Sequence, residues 1–287
     1  MKSVLITLLL VMAVGVALAG ESFAMDNKLE VSARSGTGDS YTLGSYDLAS
    51  YGLSYTRFIQ PLEDNGEPYG AREFLQHPSL LSVSMERVSY DFSPLLPDLP
   101  YETETDGFTV SGIHYLGEGR KTGLGLSYSL KESEVTDPGS PNTKENSLEL
   151  AVRHYLTDGL RVGLGYERRD WDYSNDAVWN VYSIDASALI EKYWLSSWYD
   201  KTKVENPGGV DHEEMGAELG IYPMRELGVF ASYKVLWEMM ESTTTFGLRT
   251  EYWPSEMTAI TLAYFRARVE LSHIDEDSGK VMFALLF

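Results

Sequence analysis

Polar and apolar residues alternate along most of this chain. The clearest stretch is the last, 279–287, where Val281, Phe283, Leu285 and Phe287 alternate with Lys280, Met282, Ala284 and Leu286. A period of two sends successive side chains to opposite faces of a β-strand. The same alternation predicts strands near 29–35, 49–56, 81–92, 107–116, 122–132, 146–156 and 159–169. It continues near 179–190, 193–201, 213–222, 227–238, 243–253 and 257–271. The total is about fourteen, or about twelve or sixteen, because 28–35 and 193–201 alternate weakly.

The connections sort by length. Those near 117–121, 157–158, 191–192, 223–226 and 254–256 are tight. Those near 93–106, 133–145, 170–178, 202–212 and 272–278 are longer and acidic, with Gly, Pro, Asn and Ser. Short turns at one end and long loops at the other predict an all-β fold: a transmembrane antiparallel up-and-down β-barrel. One connection breaks the rule. Residues 61–78 are long yet fall at the short-turn end, with a helical turn expected over 71–76. No loop, this one included, is expected to act as a large plug.

Parity assigns two faces. Leu124, Leu126, Tyr128 and Leu130 oppose Gly125, Ser127, Ser129 and Lys131, and Leu148, Leu150 and Val152 oppose Glu149, Ala151 and Arg153. Charges of both signs cannot be buried dry and unpaired, so the polar face encloses water. The expected lumen lining includes Glu30, Arg34, Lys131, Glu149, Arg153, Arg161, Glu167, Glu218, Arg249 and Glu251. Two sets violate the pattern. Tyr115, Tyr155, Tyr222 and Trp253 share the lumen parity, so they line the turn-end mouth or a bulge turns them outward. Arg266 and Arg268 share the lipid-facing parity of Ile260, Leu262 and Tyr264; they meet lipid head groups or the register slips.

Composition narrows the class. The 287 residues include 25 Gly, 19 Tyr, 10 Phe, 6 Trp and no Cys, which suits strands and turns and excludes disulfides and thiolate chemistry. The net charge is −20 and no basic patch of the kind nucleic acid requires is visible, so no nucleic-acid partner is expected. Mean hydropathy of −0.22 argues against helical spans but not against a barrel. Lys2, the apolar run 4–19 and small residues at Ser22 and Ala24 read as a signal peptide over 1–24, cleaved to leave 25–287. Histidines His114 and His154 recur in repeated hairpins, which explains them better than metal binding does. No catalytic motif stands out. His212 and His273, near the loop rim with acidic neighbours, are the residues a barrel hydrolase would use. Asp275 to Gly279 resembles the start of a calcium loop but lacks the later Glu.

The alternating strand that ends on Phe287 resembles the assembly signal of bacterial outer-membrane proteins. Leu53-Ser-Tyr-Thr-Arg-Phe-Ile-Gln-Pro61, then Gly70-Ala-Arg-Glu-Phe-Leu-Gln-His-Pro-Ser79 and Ser82-Val-Ser84, resemble a porin family of Gram-negative outer-membrane β-barrels. The match covers roughly residues 50–92 and departs from the family at His77 and Pro78. It implies a passive pore and would make 61–78 a feature of that family. The expectation is a diffusion channel for small polar solutes or ions, mildly cation-preferring because its rim is acidic. Its partners would be outer-membrane lipids, lipopolysaccharide and, through the strand ending in Phe287, the barrel assembly machinery. No cofactor, metal or catalysis is expected. The alternative is a structural or adhesive barrel without an open pore.

Overall fold

The structure is a computed structural model that describes residues 25–40, 44–93, 101–117, 119–135, 142–172, 177–205, 209–238, 241–269 and 274–287. The expected signal peptide, 1–24, and His273 lie outside the described residues. Fourteen strands follow one another: β1 (Met25–Ser40), β2 (Gly44–Leu62), β3 (Leu80–Ser93), β4 (Tyr101–Leu116), β5 (Thr122–Val135), β6 (Thr143–Thr157) and β7 (Leu160–Asp172). The ring continues with β8 (Ala177–Ile190), β9 (Tyr193–Glu205), β10 (His212–Met224), β11 (Leu227–Glu238), β12 (Glu241–Ser255), β13 (Thr258–Val269) and β14 (Ile274–Leu286). Each pairs antiparallel with its neighbours in sequence, and β14 closes on β1. Both weakly alternating segments are strands, so the count is fourteen.

Parity explains the two faces. Leu53, Met85, Leu126, Leu150, Leu164, Ile184, Leu219, Leu248 and Leu262 are exposed on the outward face. On β6 the outward run from Leu148 to Leu156 would stand roughly 20 Å tall, at about 3.3 Å per residue and 40° tilt. Tyr51, Tyr128, Tyr182, Tyr233 and Tyr264 are exposed on the same face, nearer the loop ends. They form the aromatic girdle expected where apolar wall meets water. Past the girdle the outward face turns ionic. Arg87 meets Asp106 at 2.6 Å, Lys144 meets Glu132 at 3.0 Å, and Lys201 meets Glu213 at 2.8 Å.

Several sequence expectations need correction here. Strand β1 runs on past Gly36 and Gly38, β4 begins at Tyr101, and β14 begins at Ile274. Acidic residues assigned to loops, among them Glu104, Asp106, Asp170, Asp275 and Asp277, therefore stand on strands. The strands are 12 to 19 residues long, more than the bilayer needs, and beyond it both faces are polar. The period of two vanishes there, so the sequence reads as loop. The calcium-loop resemblance at Asp275–Gly279 fails because the segment is strand. Arg266 and Arg268 do face outward, opposite Asp277 and Asp275 on β14, with no slip of register.

The outward face predicts its own test. Leu150→Arg, in the middle of the apolar wall, should lower the free energy of folding into lipid vesicles by about 2–4 kcal/mol. Inward Ser127→Arg should cost clearly less. Urea titration of the vesicle-inserted protein measures both.

Candidate functional site

The turn end of the barrel is not open. Residues 63–79 leave β2, turn inward through a 3₁₀ turn (Tyr69–Ala71) and helix α1 (Arg72–Gln76), and return to β3. The expected helical turn is there, but the segment is a plug, contrary to the expectation that no loop would serve as one. Glu73 accepts a hydrogen bond from Lys28 of β1 at 2.7 Å. The next residue, Phe74, meets Trp194 of β9 edge-on, ring centroids 4.9 Å apart. Strands β1 and β9 lie on opposite sides of the ring, so two consecutive side chains reach opposite walls.

The four misplaced aromatics now have a role. Tyr115, Tyr155 and Tyr222 are buried with Ala71, Phe74, Ile113, Leu189 and Phe230 in one apolar cluster. Trp253 is buried in a second with Phe58, Leu62, Ala259, Ala284 and Leu286, against which Tyr69 packs. None is turned outward. They form a collar on which the plug rests, and this collar is the closest thing in the barrel to a hydrophobic core.

Ion pairs hold the plug at its rim. Arg72 is almost fully buried, reaches Asp64 at 3.2 Å and lies over the Tyr69 ring at 4.3 Å. Arg225, from the β10–β11 turn, covers the same ring at 4.7 Å, pairs with Asp64 and donates to the Glu67 carbonyl at 3.2 Å. A backbone bond from Tyr69 N to the Arg225 carbonyl, 3.0 Å, adds to this. The Asp64 carboxyl is held below the usual carboxylate range, first by the Gly66 amide and then by Arg225. Gly70 lies close against the wall: a Cβ there would displace the Glu251 carboxylate and press on the Tyr222 hydroxyl. The returning end is fixed by Ser79, whose carbonyl accepts from Ile59 N at 2.7 Å and whose hydroxyl accepts from Tyr115 N at 2.9 Å.

His77 closes α1 in the left-handed conformation, φ 49° and ψ 51°. Its ring stacks on Tyr155 with centroids 3.4 Å apart and lies 5.9 Å from Tyr115. Burial lowers its pKa from the usual histidine value; Asp158 opposes this, and Arg161 and Arg120 add to it. A charged imidazole is therefore disfavoured in the docked plug.

Beside the plug and above it, the inward wall carries all ten residues expected in the lumen. Glu218, Arg249 and Glu251 come together by direct bonds: Arg249 bonds both carboxylates, Glu218 at 3.0 Å, and lies over Phe230 at 3.8 Å. The others take partners of their own. Glu30 meets Lys28 at 3.1 Å, Arg34 meets Glu276 at 2.8 Å, and Lys131 meets Glu145 at 3.2 Å. Arg161 bonds Asp185 at 3.0 Å, and Glu167 accepts from Arg169 at 2.7 Å. Glu149 faces the charges of Glu167, Arg153 and Arg169. Between them Ser50, Ser147, Ser187 and Ser278 are buried on the inward face. His212 points inward and meets Trp179 edge-on at 5.3 Å. His114 and His154 are exposed on the outward face of the turn end, where His154 pairs with the Thr122 hydroxyl at 2.9 Å.

A closed antiparallel ring of fourteen strands, apolar outside and ionic inside, has the architecture of outer-membrane barrels. Solved structures agree at the level of fold. Omp33 of Acinetobacter baumannii superposes with a TM-score of 0.52 at 15% identity, over 92% of this chain and 100% of that one. The toluene transporter TodX of Pseudomonas putida gives 0.58 at 10% identity, over 91% and 90%. A TodX deletion mutant, described as a monoaromatic hydrocarbon channel, gives 0.62 at 10% identity, over 91% of each chain. No protein-family model matches the chain, and no curated protein does.

The plug contacts predict a pH dependence. His77 with a lowered pKa supports docking fully above the ordinary histidine value of about 6.5. That support is lost as pH falls through the lowered, docked-state value. Amide protection factors at residues 69–76, taken relative to the intrinsic exchange rate at each pH, should therefore fall on acidification while those of the strands hold. His77→Gln should flatten that response, and Phe74→Ala should quicken exchange at every pH.

Proposed function

We propose that the mature chain is an outer-membrane channel for small polar solutes or ions, closed at its turn end by residues 63–79. The observation that carries this reading is the wall: an apolar outward face around an inward face of ion pairs, serines and glycines. Such an interior is stable only if wet, because paired charges in a dry core gain little over hydrophobic packing. Omp33 and TodX lend the fold; TodX is described as a toluene transporter and its deletion mutant as a monoaromatic hydrocarbon channel. Residues 1–24 would be the signal peptide that directs export. Outer-membrane lipid and lipopolysaccharide would surround the wall, and the strand ending in Phe287 would engage the assembly machinery.

Glu30, Arg34, Lys131, Glu149, Arg153, Arg161, Glu167, Glu218, Arg249 and Glu251 would line the solute path. The ten are five acidic and five basic, so the net charge of −20 supports only a mild cation preference. The docked plug favours a second reading, a structural barrel with no open pore. The two readings part on one comparison. Refolded wild type and a variant with 64–76 replaced by a short Gly-Ser turn are placed in planar bilayers under a KCl gradient. The channel reading expects rare or small openings from wild type and large, lasting ones from the variant, with a cation-side reversal potential. If neither protein conducts, the structural barrel is correct; anion preference would remove the cation reading alone.

A further inference from the structure

Ion pairs and the plug do not account for the aromatic side chains at the other end of the lumen. Trp171 of β7 stacks on Trp179 of β8, centroids 5.2 Å apart at 30°, and Trp179 meets His212 of β10 edge-on. Register places all three on the inward face. Trp171 is opposite Glu145 and Trp179 opposite Arg169, both on the inward face. Deeper on the same wall Trp198 of β9 donates its indole N–H to Glu214 at 3.1 Å. Its ring lies where a side chain on Gly216 would stand, so glycine leaves room for an indole lying along the wall. On β2 and β3, Tyr46, Tyr90 and Phe92 form a second cluster with centroids 5.3 to 6.1 Å apart. Strands β3 and β10 are seven apart in a ring of fourteen, so the two clusters face each other.

These rings do not belong to the girdle, which faces outward, or to the collar, which lies at the turn end. Trp171 also keeps a buried indole N–H with no hydrogen-bond partner among the described residues. Charged groups stand beside each aromatic cluster. Arg169 with Glu167 and Lys131 with Glu145 flank the tryptophans; Glu276, bonded to Arg34 and to the Tyr46 hydroxyl at 2.8 Å, flanks the tyrosines. An apolar plate bordered by carboxylates and guanidinium groups fits a pyranose ring. The C–H face of the sugar lies on the aromatic ring, and its hydroxyls bond the charged groups in its plane. A monoaromatic hydrocarbon would use the plates and leave the charges desolvated without partners. A bare ion would use the charges and gain nothing from the indoles.

We propose that Trp171, Trp179 and His212, with Trp198 below them, form a binding track for neutral mono- and disaccharides at the outer half of the lumen. The proposal rests on the channel reading and names its solute class. Equilibrium binding tests it without requiring conduction. Glucose, maltose and toluene are titrated into the refolded protein in detergent micelles, followed by tryptophan fluorescence and saturation-transfer NMR. Maltose should bind saturably, and Trp179→Ala should weaken it about tenfold. Trp198→Ala should weaken it less, and Trp237→Ala, on the outward face, should leave it unchanged. Heat-modifiable gel migration checks that each variant is folded. Should Trp179→Ala fail to fold, Trp171→Ala and Trp198→Ala take its place. No saturable sugar binding at about 100 mM, far above a millimolar Kd, overturns the proposal. So do equal affinity in the folded tryptophan variants and saturable binding of toluene in place of sugar. Sugar binding without conductance would keep the site and remove the channel reading; conductance without sugar binding would do the reverse.

Discussion

Hydrocarbon offers no partner to a backbone N–H or carbonyl, so a sheet that crosses it must leave no edge. Closure of β14 on β1 meets that constraint. Their ladder runs from Lys28 opposite Leu286 to Asp39 opposite Asp275. At the seam's end Asn27 and Phe287 exchange backbone bonds of 2.9 Å in both directions. Each unsatisfied backbone group in lipid costs several kcal/mol, which makes the ring cooperative: one open seam exposes a whole row. Once the ring is closed, inside and outside are fixed for every strand, and a one-residue slip would exchange them.

That division decides where chemistry can go. Leucine, isoleucine and tyrosine face lipid. Arginine and glutamate, which lipid would exclude, face each other across a wet interior. A ring of this size is too wide for its own side chains to fill. The chain narrows it with the segment 63–79 and the collar of Tyr115, Tyr155, Tyr222 and Trp253 beneath it. The hydrophobic packing that a soluble protein keeps at its centre is displaced here to one end of a tube. Arg72, Asp64 and Arg225 tie the plug to the turns outside that packing.

Much of this was legible from residue order, for a physical reason. Where one face meets lipid and the other water, as from Leu124 to Lys131, alternation is strong and each residue's side follows from parity. Past the bilayer both faces are polar, so Glu102 to Asp106 and Asp275 to Gly279 read as loop although they are strand. The lumen parity of the ten charged residues could be read, but their pairing could not. Arg161 with Asp185 and Lys131 with Glu145 depend on which strands neighbour in the ring and at what register. The plug left two traces in the sequence: one long connection on the short-turn side, and four aromatics on the wet parity. Each looked like an exception alone; together they describe a lid and its seat. Trp171 and Trp179 left none, because an inward aromatic near a strand end looks the same as a girdle residue.

The central claim is that one face of every strand touches hydrocarbon while the other encloses water. Because the chain has no cysteine, single cysteines can be placed one at a time from Leu124 to Leu130 of β5 and labelled with bimane. In vesicles, brominated lipid should quench the label at 124, 126, 128 and 130, and aqueous iodide should quench it at 125, 127 and 129. Quenching by lipid that shows no alternation along this strand would contradict the account.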